Sequence, residues 1–468
     1  MPFDRALLLK LLVPLVALLS GCSGMQVKKN VELDTLLSQG DYRSVALLAE
    51  ERMGLDAPDE QGQLPAVELR PKSTLDHLEA AEAWRMAGEN SRSISHFDAS
   101  EVALGDVENN PSGQFAGKVG ASIFNEALTS YVPSPAEAVM INYYKALSFL
   151  EDGQPDFARV ELNRADERIR RSVEWYAKEL DSAREEASKK NSNQTYDNPQ
   201  VASTIDAQYP EMAQWQPYSD FVVPPATYLQ ALFLATSGVA SDREKALELF
   251  ERLQGIVGPH QAINSDLNGL RDGDVCGAGR CVWVLVERGL GPEITERRFG
   301  YPVFTGNSVV SVKLALPALT PRFDQELYAC QVTAGVDSAA CEEFATMDRV
   351  IQTEFKKRFP GVVTRAVVGA VVKGVAQDQM AQRGGLAGQL LGAVMTEALT
   401  SADMRSWRSI SSSFSVNKMA VAEGADQVTI RVGSEEHQVL IGDHRLSLVY
   451  LKKPKAYTPP KTAQIRLN

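Results

Sequence analysis

The sequence predicts an α+β protein: an N-terminal TPR-like α-solenoid followed by a β-rich domain with an inserted helical hairpin. Three observations carry that expectation. The first half of the chain repeats one pattern, an apolar helix, a glycine turn with a polar neighbour, and a second amphipathic helix. After about Asn264 the pattern changes to short β-branched runs punctuated by Gly and Pro. Between two sets of those runs lies a Gly- and Ala-rich apolar stretch of helical period.

The chain opens with MPFDRALLLKLLVPLVALLSGC, in which Arg5 and Lys10 precede an apolar run from Leu11 to Leu19. That run falls short of the ~20 residues a spanning helix needs. Its small-residue exit reads as a secretory signal with a cleavage site. The quartet Leu19-Ser20-Gly21-Cys22 resembles the lipobox of bacterial lipoproteins. The resemblance implies removal of residues 1–21 and acylation of Cys22, palmitate being one of the chains. Two or more acyl chains hold a protein stably on a membrane. In that class Asp after the cysteine favours the inner membrane. Ser23 stands there instead, so the expected location is the cell outer membrane, facing the periplasm.

Residues 22–30 read as a short polar, lipidated tether, and 31–263 as the helical domain. Its units break at Gly40, Gly88, Gly153 and Gly238. Each pairs an apolar helix with an amphipathic one, which resembles tetratricopeptide (TPR) helix pairs. The breaks are not 34 residues apart, so the expected solenoid is degenerate, with insertions. The second helix of the third unit is long. Ala158, Leu162, Ala165, Ile169, Val173, Tyr176 and Leu180 form one apolar stripe along it, suited to packing against neighbouring helices. Residues 188–217 lack periodicity and read as a loop.

The β-rich domain spans 264–455, with 456–468 as a C-terminal tail. CVWVLVERG, RRFGYPVF and SVVSVKLALPAL form the first strand set; FSVNKMAVA, QVTIRVG, HQVLIG and RLSLVYLKKP form the second. The helix CEEFATMDRVIQTEFKKRF is expected to end at Pro360. A helical hairpin over 362–399 should follow, turning at Gly384-Gly385. Ala366, Ala370 and Gly374 are spaced by four, as are Gly384, Gly388 and Gly392, and small residues at that spacing let helices approach closely. Close packing inside a soluble domain is the plainer expectation. Membrane contact or self-association through this hairpin is the competing one.

Besides Cys22 there are four cysteines, and an even number in an exported chain suggests disulfides. Proximity in sequence favours Cys276–Cys281 and Cys330–Cys341 among three connectivities. Net charge is −12. Residues 345–468 hold 17 Lys/Arg against 10 Asp/Glu, or +7, leaving −12 − 7 = −19 for the rest. Two oppositely charged parts that attract one another explain this asymmetry; a basic end facing anionic lipid or glycan is the functional alternative. Nucleic acid is not an expected partner of a periplasmic protein.

LDTLLSQGDYRSVALLAEE, EAVMINYYKALSFLEDGQPDFARVELNRADER, VWVLVERGLGPEITERR, MDRVIQTEFKKRFPGVVTRAVV and ADMRSWRSI, together with the lipobox, resemble a functionally uncharacterised family of Gram-negative envelope lipoproteins. The resemblance implies TPR-like helices at the N-terminal side and a mixed region after them. It also implies company with small envelope lipoproteins, including activators of peptidoglycan synthases. No catalytic residue comes with it.

Active-site patterns are sparse. Residues 113–119 resemble a phosphate loop, but the glycines are one residue too close and Val119 replaces the magnesium-binding Ser/Thr; no nucleotide is expected. Neither GxSxG nor HExxH occurs. Asp266, Asp272 and Asp274 surround a glycine without calcium-loop order. The sequence therefore points to a non-enzymatic scaffold without metal or cofactor, its expected partner an envelope protein. A lipid- or glycan-binding module is the alternative, and a cell-wall hydrolase the third reading.

Overall fold

The computed structural model describes residues 21–68, 70–109, 131–190, 192, 194–304, 309–398, 401–422 and 424–467. Residues 1–20 of the expected signal segment and residues 113–119 thus lie outside the described residues, as does the side chain of Cys22. Among the described residues ten α-helices come first: α1 (Gly21–Gln39), α2 (Tyr42–Met53), α3 (Thr74–Met86), α4 (Asn90–Asn109), α5 (Pro135–Glu151), α6 (Pro155–Lys189), α7 (Pro199–Asp206), α8 (Pro224–Thr236), α9 (Ala240–Val257) and α10 (Gln261–Asp272). Helices consecutive in the chain pack on one another in the pairs α2–α3, α3–α4, α5–α6, α8–α9 and α9–α10. The four breaks read from sequence are real. Gly40, Gly88, Gly153 and Gly238 have φ of 71°, 87°, 67° and 73°, a left-handed backbone that stops a helix and that side chains with a Cβ resist.

Gly40 carries a second constraint. A Cβ there would overlap the Pro459 ring, whereas at the other three breaks it would meet nothing within 4 Å. Alanine at Gly88, Gly153 or Gly238 is expected to cost about 1–2 kcal/mol. At Gly40 the overlap adds to this, giving about 3 kcal/mol. Urea unfolding of the four variants checks the ranking.

Three sheets follow. The main one has the order β11-β10-β1-β7-β6, made of β1 (Arg280–Arg288), β6 (Glu343–Thr346), β7 (Ser413–Val421), β10 (Leu446–Lys453) and β11 (Lys461–Arg466). The first-set strand β1 lies between the second-set strands β10 (parallel) and β7 (antiparallel), so one strand of the first set joins two of the second in the central sheet. The second sheet, β5-β4-β8-β9, comprises β4 (Cys330–Ala334), β5 (Asp337–Ala340), β8 (Gln427–Val432) and β9 (Glu435–Leu440). Alternate residues of β1 face opposite layers. Trp283 and Leu285 join the helices, while Val282, Val284 and Val286 meet Val332, Val428 and Ile430 of the second sheet. The result is a helical layer, a central sheet and an outer sheet. One apolar cluster runs continuously from α3–α6 and α8–α10 into the central sheet.

Several expectations are corrected. The tether residues 23–30 belong to α1; no Gly or Pro interrupts Met25 to Gln39, and Leu33 and Leu37 dock the helix. The C-terminal tail contains β11, which covers the open edge of β10 and buries Ile465 opposite Leu448. Within 188–217, α7 forms and buries Val201, Ile205 and Tyr209. The stripe on α6 slips by one position: Ser172 and Glu179 are buried, while Val173 is exposed.

The largest correction is the helical hairpin. Residues 347–398 form a single helix, α11 (Met347–Ala398), with Pro360 inside it and no turn at Gly384-Gly385. Proline deletes one backbone hydrogen bond and strains the preceding turn, at a cost of about 3 kcal/mol. Burial of Phe359 and Val363 on either side holds the helix together there. Glycine pairs lower helix propensity but do not by themselves reverse a chain.

Both expected cysteine pairs lie at disulfide distance, with Cα–Cα of 5.9 Å for Cys276–Cys281 and 5.2 Å for Cys330–Cys341. The helical layer and the central sheet are also joined by buried charge. Glu82 and Arg85 of α3 form an ion pair that meets Lys452 of β10 and the Tyr450 hydroxyl. Glu287 of β1 accepts from Tyr143, Tyr144 and Ser411 beside it.

Candidate functional site

Strands β2 (Glu293–Phe304) and β3 (Val309–Thr320) form a two-stranded hairpin of their own. One face carries Phe299, Tyr301, Val312, Leu314, Leu316 and Ala318, which pack on α7 and on Phe359, Val363, Val367 and Ala370 of α11. Both outer edges are guarded against pairing with another chain. Pro302 faces Ser311, and Pro317 faces Glu296. A proline has no N–H to give the ladder, so each must turn its nitrogen outward and interrupts the free edge there.

Where this hairpin meets α6, α11, the start of α5 and residues 401–410, a cleft of about 190 Å³ opens. Its walls include Ile294, Leu319, Ile351, Phe355 and Val362. Ionised groups line the rest. Glu179 of α6 accepts from Arg358 at 3.2 Å and Arg365 at 2.9 Å, which locks α11 against α6. Gly361 lies at that crossing, where a Cβ would make an ordinary contact with Ala183 at 3.8 Å. Burial alone would depress the Arg358 guanidinium, but Glu179 and Glu354 raise it above its ordinary value.

The start of α5 supplies the other charged wall. Ser134 and Glu137 make a capping box. Glu137 additionally accepts from the Tyr131 hydroxyl and from the Trp407 backbone N–H at 2.7 Å. Glu354 of α11 accepts from the Ala136 N–H at 3.0 Å and from Tyr176 at 3.2 Å. Burial pushes both carboxyls up, against these donors and, for Glu354, against Arg358. Their bonds tie the α5 terminus to α11 and to residues 401–410. Across the cleft mouth, Lys313 of β3 is exposed.

Of the residues singled out from sequence, Ala366 and Ala370 line this cleft. Their small size admits the β-hairpin, not a second helix. Gly374 is buried one turn further on, and Gly384, Gly388 and Gly392 continue the same helix. Cys281 and Cys330 lie in β1 and β4, Cys276 and Cys341 in the loops beside them, and all four lie outside the cleft. Asp266 is buried and takes donors from Trp283, Tyr228 and Lys418. Sequence reasoning missed Glu137, Glu179, Glu354, Arg358 and Arg365. Only Glu137 carried a local signal, Ser-Pro-Ala-Glu before an apolar run.

Among the described residues no helix is long and apolar enough to cross a membrane, and no group of three or more His, Cys, Asp or Glu could hold a metal ion. No protein-family model, curated protein or solved structure matches the chain.

Proposed function

We propose that this chain is an outer-membrane lipoprotein, anchored through Cys22, whose degenerate TPR-like solenoid and adjoining cleft dock a protein partner in envelope assembly or peptidoglycan-linked work. The observation that carries docking is the cleft: an apolar slot with a rim of ionisable groups, formed where five separate parts of the chain converge. Slots of this kind seat one side-chain cluster of a partner while the rim fixes its direction. The anchor rests on the Leu-Ser-Gly-Cys quartet and the apolar run before it.

Cross-linked capture of the full lipoprotein from its native envelope tests both parts. Cys22→Ser is expected to abolish incorporation of labelled palmitate and to release the protein from the membrane fraction. Leu319→Arg, which places a charge in the slot, is expected to leave acylation intact and to reduce recovery of the stoichiometric partner at least tenfold. Undiminished recovery with Leu319→Arg would remove the cleft from the assignment. Recovery of lipid or glycan alone would favour a module acting through the basic 345–468 region.

A further inference from the structure

Helices α1 and α2 attach to the body through an apolar cluster of their own. Leu33, Leu37, Val45, Ala49 and Met53 pack there against Ala80, Ala83 and Trp84 of α3. Beside that cluster runs a chain of polar groups drawn from four elements. The Arg70 backbone N–H, just before α3, points at Nε2 of His77 at 3.3 Å. His77 Nδ1 lies 2.9 Å from Nδ1 of His96 on α4, and His96 Nε2 lies 2.9 Å from Glu50 Oε1 on α2. Glu50 also accepts from Trp84 Nε1 at 2.6 Å and from Arg92 at 2.7 and 2.8 Å. Both imidazoles are 0% exposed.

The donors and acceptors close in only one way. A backbone N–H can only donate, so His77 Nε2 must accept. An ionised carboxylate can only accept, so His96 Nε2 must donate. His77 Nδ1 then carries a hydrogen and His96 Nδ1 does not. Each ring is neutral, and the two are opposite tautomers. A proton added to either ring turns two N–H groups toward each other, at Arg70 or between the rings, with no water to relieve them.

We propose that this relay is an acid-operated latch: a proton entering the His77–His96 pair releases α2 and the segment before α3, freeing the N-terminal helix pair from the body. The surrounding charges offset that proton only in part. Glu50 is already saturated by Arg92, Trp84 and His96. The Arg70 guanidinium is paired with Glu68, and Arg43 of α2 lies over Trp84 and near Glu89. Asp76, on the same helix, faces Lys29 and Arg52 instead.

Burial, reinforced by His96 and partly countered by Glu50, depresses the His77 imidazole to about 4. Burial likewise lowers His96, against Glu50. Burial would raise Glu50, but His96, Arg92 and Trp84 bring it down to about 2. The released form, with an imidazole near 6.5, binds more protons than the latched form between about 6.5 and 4. The latch is therefore fully engaged above pH 6.5 and loosens as pH falls. One proton shifts the opening equilibrium about tenfold per pH unit, or roughly a hundredfold between pH 6.5 and 4.5.

Hydrogen exchange of the full chain, corrected for the intrinsic effect of pH, tests this. Amides of 42–53 are expected to lose protection roughly a hundredfold from pH 6.5 to 4.5, while those of β1 and β10 hold. His77→Gln/His96→Gln keeps every donor facing an acceptor and removes both titrating rings, so its acid opening is expected to vanish. Protection of 42–53 that ignores pH, or acid opening unchanged in that variant, would overturn the latch. A ¹⁵N-histidine titration of the wild type gives an arm independent of the variant's folding. Two opposite neutral tautomers at pH 7 are expected; rings that titrate near 6.5 with α2 still protected overturn it.

Discussion

Lys452→Met is expected to destabilise the protein by about 3–5 kcal/mol, although it swaps one long side chain for another of similar volume. Lys452 is 0% exposed and contacts Glu82 at 2.8 Å, the Tyr144 hydroxyl at 2.9 Å and the Ser409 carbonyl at 2.8 Å. Glu287 stands 3.8 Å away. Burial would raise the Glu82 carboxyl, yet Arg85 and Lys452 hold it below its ordinary value. Two buried anions and two buried cations thus balance between α3 and the central sheet. Methionine leaves Glu287 without its cation and Glu82 with Arg85, which Glu151 also shares at 3.7 Å. Glu82→Gln combined with Lys452→Met removes one charge of each sign, so the net charge of the buried network is unchanged. The double variant is expected to lose at least 1 kcal/mol less than the sum of the singles. Urea unfolding followed by the fluorescence of buried Trp84, Trp283 and Trp407 provides the measurement.

That network also shows where the sequence was legible and where it was not. Gly40, Gly88, Gly153 and Gly238 could be read because a left-handed turn makes a local chemical demand. The strands of VWVLVER and LSLVYLKK could be read because β-branched and aromatic runs have few other uses. The cysteine pairs followed from proximity. Nothing in the local sequence marks Glu82, Arg85, Glu287 and Lys452 as buried, because what buries them is chain more than a hundred residues away. Glu179, Arg358 and Arg365 were hidden for the same reason. Their partners are set by how α11 crosses α6, and no period within either helix encodes that crossing.

The misread hairpin has a different cause. Pro360 and Gly384-Gly385 are genuine helix weakeners, and treating them as ends is sound when only propensity is weighed. Tertiary packing decided otherwise on the N-terminal side, where the β2–β3 hairpin and α7 cover α11 through Phe359, Val363 and Val367. The Ala366–Ala370 spacing was real, but its partner was a sheet. A four-residue period of small side chains reports close approach and leaves the neighbour's identity open.

Val363→Asp is therefore the second substitution expected to act strongly. Val363 is 0% exposed between α11 and the β2–β3 hairpin. Loss of its apolar contacts, together with burial of a carboxyl lacking a partner, is expected to cost about 3–5 kcal/mol. The damage should stay local, because the apolar cluster beneath the hairpin is separate from those of the central sheet. Limited proteolysis should then cut within 293–320, while exchange protection of β1 and β10 is retained. Val372→Asp is the matched control: Val372 is 40% exposed on the same helix, and its replacement is expected to cost no more than about 0.5 kcal/mol. The pair separates stability from docking. If Val363→Asp frees the hairpin and partner capture falls while Val372→Asp leaves it intact, the cleft is the docking surface. If capture survives release of the hairpin, the surface lies on the helices α1–α4, which share no apolar cluster with Val363.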